Sequence, residues 1–214
     1  MTNPTPCELI SWNGVYNLSR RLAGKIRKAG YHPDIIIAIG RGGYMPARIL
    51  SDHLGIMNLT SFKIEHYQGL HKEPVARVRY PLAADTAGQQ VLLVDDVSDS
   101  GDTFRVALDH LRSPGAPAEV RTAVLHHKTV STFVPDYYAR KVLKWRWIIY
   151  PWAVMEDLRV LIGAMGPQPP SIEAITQRLQ QDHGIRVPHK MLKDALAVIQ
   201  TAPEGHKAPG IEHP

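Results

Sequence analysis

Two short stretches of this chain hold residues whose types and spacing suit phosphate chemistry. The stronger is Val91-Leu-Leu-Val-Asp-Asp-Val-Ser-Asp-Ser-Gly-Asp-Thr103. Four apolar residues run into two adjacent acids, Asp95 and Asp96. A small hydroxylated turn follows, Asp99-Ser100-Gly101-Asp102-Thr103, and opens the next element. Ligands of open parallel sheets bind beyond the carboxyl ends of the strands. A turn feeding a helix N-terminus presents backbone N–H groups and hydroxyls to an anion. Two carboxylates beside it suit vicinal hydroxyls and a Mg²⁺ that keeps its waters. Phosphate on one side and a diol with metal on the other describe a phosphorylated sugar. Helix capping explains less, because three acids within five residues exceed what a cap needs.

The second stretch is Gly40-Arg41-Gly42-Gly43, directly after an apolar run. No G-K-[ST] follows, so it is not a Walker A loop. Met45 stands where a dinucleotide fingerprint needs its third glycine. An arginine among glycines can cradle an anion, since glycine lets the backbone approach closely. A plain glycine-rich strand-to-helix turn is the other reading.

The elements that must position these residues follow from periodicity. Val15, Leu18, Leu22 and Ile26 recur at helical spacing, predicting a helix over 12–29 with Ser11 as cap and Gly30 as stop. The run 34–39 and the run 90–94 read as strands buried on both faces, as in a parallel sheet. Helices are expected over 44–54 and 103–111, and strands over 57–67, 76–80 and 119–126. The polar segment 66–74 contains Gly and Pro and reads as a loop. Alternating strands and helices predict an α/β fold, a parallel sheet flanked by helices. A first domain is expected over 1–162, a Pro-rich linker over 163–170, a small C-terminal helical extension over 171–200 and a flexible tail over 201–214.

Composition bounds the function. The chain has 214 residues and a formal charge of +5, with the basic residues dispersed rather than gathered in a run. A small phosphorylated ligand, or nothing specific, explains that excess better than nucleic acid as a partner. One cysteine, Cys7, allows no internal disulfide. No apolar stretch approaches the roughly 20 residues that span a bilayer. The first residues show no basic region followed by an apolar run. A soluble, cytoplasmic protein with no membrane partner is expected. His126 and His127 are adjacent and lack a helical i,i+4 partner, which speaks against a transition-metal site.

The stretch 91–103 resembles the phosphoribosyl pyrophosphate (PRPP) signature of type I phosphoribosyltransferases. The resemblance spans roughly residues 12–157 and implies the type I phosphoribosyltransferase fold, Mg²⁺ as cofactor and PRPP as a substrate. It implies that Asp95 and Asp96 hold the ribose hydroxyls and, through water, the metal. It implies that Asp99, Ser100, Gly101, Asp102 and Thr103 surround the 5′-phosphate, and that Asp99 acts as general acid/base at N7 of a purine. Many relatives carry Lys at position 102, so the side chain of Asp102 is expected to face solvent. Arg41, Gly42 and Gly43 resemble the family's pyrophosphate loop.

Lys128 and, nineteen residues later, Trp147-Ile-Ile-Tyr-Pro-Trp152 resemble the bacterial xanthine-guanine phosphoribosyltransferases and related archaeal enzymes. This implies that Lys128 reads O6, that Trp147 stacks on the ring and that the main chain near Ile148 meets the base edge. Trp145 and Tyr150 are the alternatives for stacking. The segment 66–74 falls where the family has a mobile hood. The implied activity is purine salvage: transfer of phosphoribosyl from PRPP to guanine, hypoxanthine or xanthine, by a homodimer. A PRPP-responsive regulator that binds nucleic acid is the rival on the same fold. The helices over 171–200 lie outside the resemblance and suit structural support, an oligomer contact or a nucleic-acid contact.

Overall fold

The computed structural model describes residues 5–68, 74–112, 115–166 and 171–201. It divides into two compact units. Asn13–Lys144 form the larger, and the described residues before Asn13 and after Lys144 form the smaller.

The larger unit is built on a six-stranded sheet. Its elements are α1 (Trp12–Lys28), β2 (Ile35–Gly40), α2 (Tyr44–Leu54), β3 (Leu59–Gln68), β4 (Pro74–Tyr80), β5 (Gln90–Ser98), α3 (Asp102–Leu111), β6 (Glu119–Lys128) and β7 (Tyr137–Val142). The strand order is β4-β3-β2-β5-β6-β7, parallel throughout except for the antiparallel pair β3–β4. The two continuous apolar runs are the centre of this sheet. Every residue of β2 is buried, as are Val91–Asp95 of β5. Ile35, Ile37, Ile39, Val91 and Leu93 pack with Phe104, Ala107 and Leu111 of α3. Ile36, Ala38, Leu92 and Val94 point the other way and are equally buried, so both faces are covered. Each such side chain taken from water stabilises the fold by about 1.5–3 kcal/mol.

The smaller unit pairs β1 (Cys7–Leu9) with β8 (Trp147–Ile149) in a parallel two-stranded sheet and adds α4 (Val154–Gly163), α5 (Ile172–His183) and α6 (His189–Thr201). Cys7, Ile149, Leu158, Leu161, Ile175, Leu179, Leu192 and Ala195 share its core. Ser171 caps α5 by accepting the Ala174 N–H at 3.2 Å. Gly184, in the left-handed region with φ +72°, ends the helix and donates to the Gln180 carbonyl.

Several expectations are corrected. The expected loop 66–74 is partly strand, because β3 and β4 extend to Gln68 and from Pro74. Antiparallel pairing satisfies the backbone whatever the side-chain polarity. Residues 69–73 of that loop lie outside the described residues, as do 167–170 of the expected linker and 202–214 of the expected tail. β5 does not stop at Val94. It continues through the acids to Ser98, because β6 runs alongside it to Lys128 and pairs with it up to Ser98↔His127. Within the smaller unit β1 and β8 pair segments from the two ends of the chain.

Candidate active site

Strand register gathers the motifs. Ala38 of β2 pairs with Val94 of β5. β2 ends two residues beyond that pair at Gly40, and Asp95 and Asp96 directly follow Val94 in β5. The turn Gly40–Gly43 therefore lies against the acids. A Cβ built on Gly42 would fall 2.7 Å from the Asp96 carboxylate, and one on Gly43 would fall 2.9 Å from the Ile39 nitrogen. Both positions need glycine for this close approach. The Gly43 N–H donates to the Ile39 carbonyl at 2.9 Å. The Gly40–Arg41 peptide bond is cis, and Arg41 is exposed.

Asp95 is buried and Asp96 half-buried. The Asp96 N–H donates to Asp95 Oδ1 at 2.9 Å. Burial, and then the charge of Asp96, raise the Asp95 carboxyl well above the usual carboxylate range. The turn Asp99–Gly101 follows, and Gly101 precedes α3 with φ +100°, a conformation that favours glycine. A Cβ there would also fall 2.6 Å from Phe133 Cβ.

Residues 131–133, between β6 and β7, brace this turn. The hydroxyls of Ser98 and Ser131 lie 2.8 Å apart, and each reaches the Phe133 carbonyl at 3.0 Å. Thr132 donates to the Ser100 carbonyl from its N–H at 3.0 Å and from Oγ1 at 2.8 Å. The Phe133 ring stacks on Phe104 at 4.9 Å. Asp102 is half-buried and its carboxylate is engaged by its neighbours. Oδ1 accepts from Arg105 Nη2 at 2.5 Å and Oδ2 accepts from Ser100 Oγ at 2.8 Å.

The pairing Ser98↔His127 places Asp99 level with Lys128. Lys128 is 2 % exposed and its Nζ donates to Asp99 Oδ2, whose side chain is 35 % exposed. Burial lowers the Lys128 pKa, and the charge and hydrogen bond of Asp99 work against that fall. On the same strand His126 is buried. Burial, then Arg140, Lys128 and Arg21, push it down to about 3, so it is neutral and adds no competing charge.

Asp95, Asp96, the 99–103 turn, the 41–43 turn and Lys128 thus belong to the larger unit. Trp147 and Ile148 belong to the smaller. Trp147 opens β8, its N–H donating to the Pro6 carbonyl at 2.8 Å and its indole N–H to Asp157 Oδ1 at 2.9 Å. It is half-buried against the core of that unit, and Ile148 is buried. Trp152 stacks on Tyr150 with centroids 4.8 Å apart and meets Trp12 at 5.9 Å. Ser98, Ser131, Thr132, Phe133 and Arg105 were not singled out from sequence. The hydroxyl-rich run after Lys128 was a visible signal, but its contact with the turn depends on the β5–β6 pairing. An open cavity of about 460 Å³ in the smaller unit, lined by Glu173, Gln177, Gln180, Arg186 and His189, contains none of the motif residues.

The parallel sheet, the two turns at its carboxyl edge and the buried lysine–carboxylate pair define a class. A family model described as the phosphoribosyl transferase domain matches residues 8–157. The xanthine-guanine phosphoribosyltransferase of Gluconobacter oxydans is 32% identical over 146 residues, covering 67% of this chain and 82% of that one. The crystal structure of a purine phosphoribosyltransferase from Pyrococcus horikoshii matches with a TM-score of 0.61 and 34% identity, over 68% of this chain and 93% of that one. A hypothetical protein from Neisseria gonorrhoeae, solved with bound ppGpp, matches with a TM-score of 0.61 and 29% identity, over 71% and 91%. The chain belongs to the phosphoribosyltransferase family. Within that family it is an enzyme of the purine-using branch, the purine phosphoribosyltransferases.

Proposed function

We propose that this enzyme transfers the 5-phosphoribosyl group from PRPP to a 6-oxopurine, guanine, hypoxanthine or xanthine, giving the nucleoside 5′-monophosphate and pyrophosphate. The observation that carries the reading is the juxtaposition of Lys128 and Asp99, a buried ammonium and a carboxylate on neighbouring strands beside the 99–103 turn. A 6-oxopurine offers an acceptor at O6 and a proton at N7, the partners these two groups want. The ligand ppGpp, named for the gonococcal neighbour, joins guanine and diphosphate groups in one molecule. That is the same combination of base and pyrophosphate.

In this reading the 99–103 turn binds the 5′-phosphate and Asp95 and Asp96 bind the ribose hydroxyls. Arg41 and the Gly42 N–H face the pyrophosphate, while Gly43, whose N–H is held by the Ile39 carbonyl, lets the turn pack closely enough to present them. The C1–oxygen bond to pyrophosphate breaks with oxocarbenium character as a base nitrogen bonds to C1. Asp99 takes the proton at N7 and Lys128 holds O6. Positioning and electrostatics supply most of the acceleration. Trp147 stacks on the ring and the main chain near Ile148 meets the base edge, both on the strength of the resemblance over 147–152. Among the described residues no cluster of three or more His, Cys, Asp or Glu could hold a metal. Two adjacent carboxylates, Asp95 and Asp96, suit a Mg²⁺ that keeps waters and takes its other oxygens from the substrate. Bound there, Mg²⁺ would neutralise charge developing on pyrophosphate. Among the described residues no helix is long and apolar enough to cross a membrane. We place the enzyme in the cytoplasm, as a homodimer.

The acid pair provides the test. Replacing Asp95 and Asp96 together by Asn is expected to weaken PRPP binding far more than purine binding. Each lost carboxylate removes a charge-assisted hydrogen bond of about 1.5–3 kcal/mol. Titration calorimetry with PRPP and Mg²⁺ measures it. Unchanged PRPP affinity in a folded double variant would remove the acids from the sugar site.

A further inference from the structure

The turn that this reading gives to the 5′-phosphate carries two carboxylates of its own, Asp99 and Asp102, in five residues. A phosphate monoester brings about −1.5 to −2 more. Like charges this close oppose binding unless each carboxylate is offset. Lys128 offsets Asp99 from within the sheet. Asp102 has a different partner. Arg105, one turn along α3, places Nη2 2.5 Å from Asp102 Oδ1 and 3.2 Å from Thr132 Oγ1.

We propose that Arg105 is a positioning and specificity residue for PRPP: by cancelling Asp102 it lets this turn accept a phosphate dianion. The inference rests on the phosphate-turn reading above. Three features support it beyond the ion pair. The guanidinium is held from two sides, by the helix residue Asp102 and by Thr132 of the bracing segment, so it stays at the turn. Thr132 is also the residue that grips the Ser100 carbonyl, which ties the cation to the turn's backbone. The second Asp102 oxygen accepts from Ser100 Oγ, so the carboxylate is fixed to the turn on its other side and stays beside the guanidinium. The pair is exposed, with side chains 59% and 44% accessible, so its contribution to folding is small. Its consequence falls on the anion that arrives.

The test is a double-mutant cycle read in PRPP kinetics at low and high salt. Arg105→Ala is expected to raise the PRPP KM roughly three- to tenfold at low salt, less at high salt, with kcat and the purine KM within about twofold. Arg105→Lys keeps the charge and should stay near the parent enzyme. Asp102→Asn with Arg105→Ala should bring the PRPP KM back to within about twofold of Asp102→Asn alone. An unmoved KM in Arg105→Ala overturns the proposal. So does a double variant as weak as Arg105→Ala, which would mean that Arg105 meets the phosphate itself. The Asp95, Asp96 double variant separates this failure from that of the underlying reading. If it loses PRPP while Arg105→Ala does not, only the role of Arg105 falls. If neither variant changes PRPP affinity, the placement of the sugar phosphate falls with it.

Discussion

Replacing Lys128 with alanine is expected to erase the preference for 6-oxopurines over adenine. The side chain is buried at the end of β6 and meets the Asp99 carboxylate. An ammonium donates and cannot accept. O6 of guanine, hypoxanthine or xanthine is an acceptor and would pair with it in the proposed site. The 6-amino group of adenine donates and would leave the buried cation facing a second donor. Sites built around a polar group reject the mismatched analogue by up to about 10⁴–10⁵. The variant should keep its fold, because Asp99 is partly accessible and water can replace the lost ammonium. Steady-state kcat/KM for guanine, hypoxanthine and adenine, parent against Lys128→Ala, gives the answer. Full discrimination in the variant would move the reader of O6 to another residue.

Asp99→Asn is expected to lower kcat by about 10²–10⁴ with little change in the PRPP KM. The substitution is nearly isosteric, and the amide oxygen can still accept from Lys128, so the geometry of the pair survives. What is lost is the capacity to take the N7 proton. Asp99 also belongs to the turn assigned to the 5′-phosphate, and the two roles make opposite forecasts. Loss of PRPP affinity with kcat unchanged would make it a phosphate-turn residue alone. Measuring both constants on one variant distinguishes them.

How much of this was legible beforehand depended on where each signal resides. β2 and β5 are buried on both faces, so their unbroken apolar runs stand out against any background. β7 does not. Its Arg140 and Lys141 break the pattern, and it owes its place to parallel pairing with β6 at the sheet's edge. The pairing of Cys7–Leu9 with Trp147–Ile149 joins segments with no local sign of each other. The extension of β3 and β4 into polar residues follows from ladder hydrogen bonds, which composition does not record.

The site divides in the same way. Asp95, Asp96 and the 99–103 turn are contiguous, and their residue types alone suggest a phosphorylated sugar. The contact of Gly42 with Asp96 and the bond from Lys128 to Asp99 are products of register. A shift of one residue in either pairing would undo them. Arg105 was hidden for a simpler reason: a cation on the exposed side of a helix looks like any solubilising charge until its neighbours are seen.

In the proposed reaction PRPP and a 6-oxopurine become a nucleotide on this chain. The most direct measurement mixes the purified protein with PRPP, Mg²⁺ and each of guanine, hypoxanthine, xanthine and adenine in turn, and follows nucleoside monophosphate by chromatography. Nucleotide is expected from one or more of the three 6-oxopurines, dependent on PRPP, and little or none from adenine. Tight PRPP binding with no nucleotide from any base would contradict it and favour a PRPP-responsive regulator on the same fold.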